Sequence, residues 1–250
     1  MNRRILASAF LATTIRSIAT LPAFSQTSIA VSAYGAFNRT TIGNFTQEIP
    51  ANQVGGLIEF GHVSGPIFGF EATYSYNRAN TTYSTYIPGS NQLTYTPALG
   101  CPNGDGCSRE TVSANAHEFT VDWTPSLPLH ISHRSPFYPF GVLGVGFLAE
   151  VPSSSKATVV TNYPCGIPVN NRVVCPGTPE TTVTTSDTAI SVKPVYVYGA
   201  GVDWALLSRF GIRFQYRGSV YSAPNMTNLF SATDSYTHTA EPMVGIYFNP

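Results

Sequence analysis

Residues 209–221 read RFGIRFQYRGSVY, with Phe210, Ile212, Phe214 and Tyr216 alternating strictly with Arg209, Gly211, Arg213, Gln215 and Arg217. A period of two specifies a β-strand with two unlike faces, one greasy and one cationic. In a soluble β-sandwich the greasy face enters a core and the arginines meet water. In a small transmembrane barrel the same string is turned inside out, with aromatics in lipid and arginines in the lumen. Facing lipid, each arginine would cost roughly 2 to 4 kcal/mol near the bilayer midplane. In a membrane barrel, therefore, Arg213 and Arg217 point inward.

The same two-faced pattern recurs along the chain. Glu59, Glu71, Glu118, Asp122 and Asp203 each sit between apolar or aromatic neighbours, as in Ile58-Glu59-Phe60 and Val202-Asp203-Trp204. Their same-face companions are small or polar: Gly69, Thr73 and Ser75 beside Glu71, and Gly199 and Gly201 beside Asp203. An eight-stranded barrel has an interior just wide enough for such side chains. The expectation is a lumen network in which Arg213 and Arg217 meet several of Glu59, Glu71, Glu118, Asp122, Asp203 and Glu241. Aromatic residues supply two girdles, Phe68, Trp123, Trp204, Phe210 and Phe248 at one rim and Phe37, Tyr76, Tyr196 and Tyr216 at the other.

Only 10% of the residues are charged, against the roughly 25% usual for soluble domains. Lys156 and Lys193 are the only lysines. Residues 1–25 carry a basic start at Arg3 and Arg4, an apolar stretch from Ile5 to Ile15 and small residues around Ala23-Phe24-Ser25, which predicts a signal peptide cleaved near Gln26. Removing it takes away Arg3, Arg4 and Arg16 and no acid, moving the formal charge from +0 to −3. That leaves no basic footprint for nucleic acid. No run of about 18 apolar residues follows, so no transmembrane helix is expected.

Period-two segments fall at about 28–39, 52–63, 67–78, 113–123, 139–151, 192–204, 209–221 and 236–248. Polar connections at 40–51, 79–112, 152–191 and 222–235 follow the odd segments, and the even ones are followed by short turns at 64–66 and 205–208 and a Pro-punctuated link at 124–138. A meander with all its large loops at one end results. The expected fold is all-β: an eight-stranded antiparallel up-and-down transmembrane β-barrel over residues 26–250. Cys101 and Cys107 lie in CPNGDGC, and Cys165 and Cys175 in CGIPVNNRVVC. Both stretches read as loops, and two local disulfides are the natural expectation, although spacing alone permits three connectivities. No metal site is expected, because neither stretch brings a histidine.

The segments PFGVLGVGFLAEV (139–151), VYVYGAGVDWAL (195–206), FGIRFQYR (210–217) and TAEPMVGIYFNP (239–250) together resemble the outer-membrane β-barrel domain family, of the OmpA-like small-barrel kind. The resemblance covers essentially the whole of residues 26–250. It implies the bacterial outer membrane as location, contact with outer-membrane lipid, and Ile246 with Phe248 as the C-terminal signal read by the barrel-assembly machinery. Here Phe248 is followed by Asn249 and Pro250, a departure from that pattern. No globular peptidoglycan-binding domain follows the barrel, so a wall-anchoring role is not carried over.

Candidate chemistry is sparse. His130-Ile131-Ser132 would put an imidazole and a hydroxyl on one strand face, as nucleophilic catalysis requires, but no acid is near in sequence and the stretch belongs to the short-turn end. His117 and Glu118 point to opposite faces, as do His238 and Glu241. The glycines of GVLGVGF precede no lysine or helix, so a crowded lumen explains them better than a phosphate loop. The expectation is a non-enzymatic, monomeric outer-membrane barrel without cofactor, whose long outer loops meet an unknown extracellular ligand and which is not a general diffusion porin. The alternatives are a barrel acyl hydrolase acting on lipid A and a soluble secreted β-sandwich binding carbohydrate.

Overall fold

The computed structural model describes residues 26–64, 68–85, 107–126, 136–162, 167–169, 172–174 and 181–250. The signal-peptide reading of residues 1–25 and the His130/Ser132 pair lie outside the described residues. Among the described residues there are fourteen strands: β1 (Gln26–Asn38), β2 (Thr41–Gly43), β3 (Thr46–Pro50), β4 (Gln53–Val63), β5 (Gly69–Thr85), β6 (Cys107–Trp123), β7 (Phe137–Pro152), β8 (Lys156–Asn162), β9 (Ile167–Val169), β10 (Arg172–Val174), β11 (Thr181–Asp187), β12 (Ser191–Ala205), β13 (Phe210–Ser222) and β14 (Tyr236–Phe248).

Eight of these close a barrel. The order is β1–β4–β5–β6–β7–β12–β13–β14, every pair is antiparallel, and β14 returns to β1 with Ile29 opposite Phe248 and Asn38 opposite Thr239. A closed ladder has no free edge, the condition that a strand-built structure must meet to cross a bilayer. It also rules out the two facing sheets of a sandwich, so the secreted sandwich alternative is overturned.

The faces divide as the side chains require. Phe210, Phe214 and Tyr216 of β13 are exposed on the outer wall while Arg213, Gln215 and Arg217 are buried inside. On β7, Leu143, Val145 and Phe147 face out, and Val142, Leu148 and Glu150 face in. Phe68, Trp123, Phe137, Trp204 and Phe210 ring the short-turn end. Toward the other end, outward polar tips pair with each other: Tyr74 Oη with His117 Nδ1 at 2.9 Å, Tyr76 Oη donating to Asn115 Oδ1 at 3.0 Å, and Tyr198 Oη with His238 Nε2 at 2.5 Å. Such pairs suit the interface, where a ring is greasy on one side and wet at its tip.

Glycine decides two close approaches in the lumen. A Cβ at Gly144 would lie 1.7 Å from Asp122 Oδ1, so only glycine lets that carboxylate lie against β7. At Gly201 a Cβ would meet the Phe140 ring at 2.4 Å. The ring can therefore lie flat on β12, where it also lies under Arg213.

Beyond the barrel the sheet continues outward. β5 and β6 stay paired as far as Ser84 opposite Arg109, and their extensions recruit β3 and β2 on one side and β8 and β11 on the other. The sequence reading took residues 40–51 and 152–191 as plain loops and ended the third strand near 78. The structure corrects both, because runs such as ATVVTN and TTVTTSD are rich in β-branched residues and find partners in the long β5–β6 ribbon. It also corrects the assignment of the cysteine stretches as strand-free. Cys107 begins β6, and between Cys165 and Cys175 a small ladder pairs β9 with β10. The pairing of Cys101, Cys107, Cys165 and Cys175 lies outside the described residues.

Candidate functional site: a charge-filled and capped lumen

Two arginine clusters occupy the lumen at different heights. Arg213, next to the short-turn end, is 5% exposed and meets three carboxylates. Its Nε and Nη2 donate to Asp203 Oδ1 and Oδ2 at 2.8 and 3.0 Å, its Nη1 reaches Glu71 at 3.0 and 3.1 Å, and Glu59 Oε2 is 3.2 Å from Nη1. The bond to Asp203 is the two-pronged form that a planar guanidinium favours. The Phe140 ring centroid is 4.7 Å from the Arg213 carbon, adding a cation–π contact within the distance at which such contacts count.

Four residues further along β13, Arg217 makes the second cluster at 1% exposure. Its Nη2 is 2.8 Å from Glu118 Oε1, 3.9 Å from Asp122 Oδ2, and donates to Thr120 Oγ1 at 2.7 Å. Thr73 and Thr120 both donate to Asp122 Oδ2, at 2.9 and 3.0 Å. Glu241 is buried one strand away and accepts from Ser219 Oγ at 3.5 Å. It makes no ion pair within 4 Å among the described residues, but its charge and that of Arg217 act on each other across the lumen.

The upper end of the lumen holds acids that the sequence reading did not place there. Glu150 faces inward at the top of β7, and Glu48 on β3 and Glu110 on the β6 extension are 2% and 0% exposed. Parity could have found Glu150, since it is in phase with Gly144, Gly146 and Leu148. Glu48 sits in a stretch with no visible alternation, whereas Glu110 is in phase with Val112, Ala114 and Ala116 but lies in a stretch that the sequence reading took as loop. Glu110 accepts from Ser186 Oγ at 2.6 Å and from Thr227 Oγ1. Among the described residues Glu48 accepts a single long bond, from Thr41 Oγ1 at 3.4 Å.

Burial pushes the Glu48 carboxyl up to about 8, with Glu150 raising it further and the Thr41 hydroxyl and Lys193 pulling it back. The folded state therefore keeps this proton well above the pH at which an unfolded glutamate releases it. The stability it contributes is full below about 4.5 and is lost as pH rises through about 8. Urea unfolding between these limits should show a loss of about 4 kcal/mol in the wild type. Glu48→Gln should remove that share of the slope, and an unchanged slope would show that Glu48 titrates normally.

The β13–β14 connection, read from sequence as a surface loop, folds into the mouth. Met226 and Phe230 are 0% and 8% exposed and pack with Tyr83 and Val112. Tyr83 Oη donates to the Pro224 carbonyl at 3.1 Å and accepts from the Met226 N–H at 3.2 Å. One side of the segment bridges to β11 through Thr227 opposite Thr188 and Asn228 N–H to the Asp187 carbonyl. Its other side joins the β2–β3 tip, where Asn44 Nδ2 donates to the Ala232 carbonyl and to Asp234 Oδ2, both at 2.7 Å. Asn44, Phe45 and Asp234 are the non-glycine residues with positive φ among the described residues, and all three sit at this joint. The segment thus bridges both open edges of the outer sheet.

Ile246 and Phe248 lie at the short-turn end of β14. Ile246 is exposed on the outer wall, and the Phe248 ring lies 4.7 Å from that of Phe210.

Fold and site together define a small outer-membrane-type β-barrel whose interior is filled by paired charges and whose outer mouth is capped by its own chain. No family model and no curated protein matches it. Among solved structures it is similar to Neisserial surface protein A (12% identity, TM-score 0.42, covering 90% of this chain and 97% of that one). It is also similar to Ail, the attachment invasion locus protein of Yersinia pestis, solved in complex with the heparin analogue sucrose octasulfate (12%, 0.36, 90% and 99%). A third likeness is to the outer membrane protein OprG of Pseudomonas aeruginosa (10%, 0.41, 90% and 96%). Fold class rests on the strand pairing of this chain itself.

Proposed function

We propose that this protein is a non-conducting, non-enzymatic barrel of the bacterial outer membrane that holds a rigid outer sheet away from the bilayer for surface contacts. The observation that carries the reading is the double block of the lumen: Arg213 and Arg217 clamp facing carboxylates across it, and the 223–235 segment caps it. Barrels of about eight strands have interiors that side chains fill, and water-filled channels belong to barrels of about 16 strands or more. The β5–β6 ribbon with its flanking strands is the part that projects, and connections positioned on a rigid scaffold are where binding residues concentrate. An acyl hydrolase needs a histidine next to a hydroxyl nucleophile and an acid. On the described outer wall His117 and His238 are instead engaged by Tyr74 and Tyr198, with their neighbouring acids facing the lumen.

Insertion through Ile246 and Phe248, a monomeric state and an extracellular ligand belong to the same proposal. Planar-bilayer recording of the purified, detergent-refolded protein tests it. The expected result is no steady conductance; large, weakly selective channels from the monomer would overturn the reading. Partition of the protein into a fraction other than the outer membrane would overturn the location.

A further inference from the structure

The upper part of the molecule sorts its charges by sign. Glu48, Glu110, Glu118 and Glu150 are buried inside, whereas Arg78 of β5, Arg109 of β6 and Lys156 of β8 are exposed. Strand register puts the three cations on one outward face. Arg78 lies opposite Asn115, one same-face step beyond the Tyr76/His117 pair of the upper girdle, Arg109 lies opposite Ser84 and Val160, and Lys156 is in phase with Val160 along β8. None of the three makes an ion pair within 4 Å among the described residues, while Arg213 and Arg217 both do. Among the described residues the outward face of β5, β6 and β8 carries no acid. Asp187 of β11 is opposite Lys156 in register without closing to 4 Å.

The sheet forks among these cations. β6 pairs with β7 as far as Ala114 and with β8 only from Glu110 outward, so its two neighbours diverge over residues 111–113. The fork leaves an open recess of about 520 Å³ whose lining includes Arg109 and Lys156 with the hydroxyl-bearing Thr111, Ser113, Ser154 and Thr158. That volume lies within the range of ligand clefts, about 300 to 1,000 Å³. Guanidinium and ammonium groups without carboxylate partners bind phosphate by charge-assisted hydrogen bonds. Hydroxyls between them match the hydroxyls of sugar rings.

Height above the membrane selects the kind of phosphate. From Asn115, level with Arg78, to Arg109 is six residues, about 20 Å along β6 and about 15 Å of height at a strand tilt of about 40°. The polar layer of a bilayer leaflet is only about 5 to 7 Å deep. One layer of phosphates therefore reaches Arg78 and misses Arg109, whereas a head that carries phosphates at several depths reaches all three cations. We infer that this outward face is a binding site for an outer-leaflet glycolipid whose head is a phosphorylated oligosaccharide. Arg78 meets a phosphate next to the girdle, Lys156 and Arg109 meet phosphates further out, and sugar rings occupy the fork. The inference rests on the outer-membrane location proposed above and is separable from it, because binding is read on the purified protein and location by fractionation.

The test titrates the full chain, refolded in detergent, with fluorescently labelled lipopolysaccharide and with the same material stripped of its phosphates. The wild type is expected to bind the phosphorylated form about tenfold or more tightly, and the Arg78→Gln/Arg109→Gln/Lys156→Gln variant to bind both forms alike at the weaker affinity. All three side chains are exposed, so the variant should keep the heat-dependent gel shift of a closed barrel. The wild-type comparison decides even where the variant does not refold. Equal affinity of the wild type for the two forms, or a phosphate preference kept by the triple variant, would overturn the site. Nanodiscs of phosphatidylglycerol that displace the labelled lipid as well as unlabelled lipopolysaccharide does would overturn it too, since a single layer of phosphates would then suffice.

Discussion

An Arg213→Ala protein is expected to lose about 3 to 5 kcal/mol of stability, the usual cost of removing one partner from a buried ionic group. The size of the effect comes from what stays behind. Glu59, Glu71 and Asp203 would face each other across a lumen with their shared cation gone, and the Phe140 ring would lose the guanidinium it supports. Arg213→Lys restores the charge without the fork that grips Asp203 at 2.8 and 3.0 Å, so it should recover part of the loss only. Adding Glu59→Gln and Glu71→Gln to Arg213→Ala should also recover part of it, because the residual cost is charge repulsion. Urea unfolding followed by the fluorescence of Trp123 and Trp204, with the heat-dependent shift in gel mobility that closed barrels show, measures all three. An Arg213→Ala barrel as stable as the wild type would mean that the cluster is neutral in the folded protein.

The second large effect concerns the cap and should be local. Met226 is completely buried between the outer sheet and the top of the lumen, and truncating a buried methionine to alanine costs about 2 to 5 kcal/mol. The barrel ladder does not depend on the 223–235 segment, whereas the outer sheet is bridged by it on both sides. Met226→Ala is therefore expected to raise amide hydrogen exchange in β2, β3, β8 and β11 by roughly thirty-fold or more while leaving the middle of β12 and β13 unchanged. Uniform acceleration along the chain would show that cap and barrel unfold as one unit.

The barrel was legible in the sequence for a physical reason. Its strands are two-faced because lipid and lumen are unlike, so the segments at 209–221 and 236–248 stand out from residue types alone, and their observed limits differ by a residue or so. The luminal acids were legible for the same reason. Above the membrane that contrast disappears. Around Glu48 three successive residues are buried, so period two carries no signal there, whereas Glu110 continues the inward row of Val112, Ala114 and Ala116 into a stretch too polar to stand out as a strand. The 223–235 segment, APNMTNLFSATDS, reads as a polar loop because its burial depends on Tyr83, Glu110 and Thr188, residues remote in sequence. Glu241 acts on Arg217 without touching it, because parity fixes the face of a strand and not the distance to a partner on another.

The pairing of β1 with β14 sets the order of events by which the molecule forms. Ile29 finds Phe248 only when nearly the entire chain has been made, so the contact that removes both free edges comes last. Until then each terminal strand offers an unpaired row of amides and carbonyls to any other chain, a standing invitation to aggregate. A sheet dominated by such distant pairings also forms slowly, because loop closure must come before the contacts that reward it. The same arrangement works in reverse once the ring is shut. No strand can peel from an edge, so opening requires breaking a full ladder at once, and the finished protein should persist through a high barrier to unfolding as much as through its equilibrium stability.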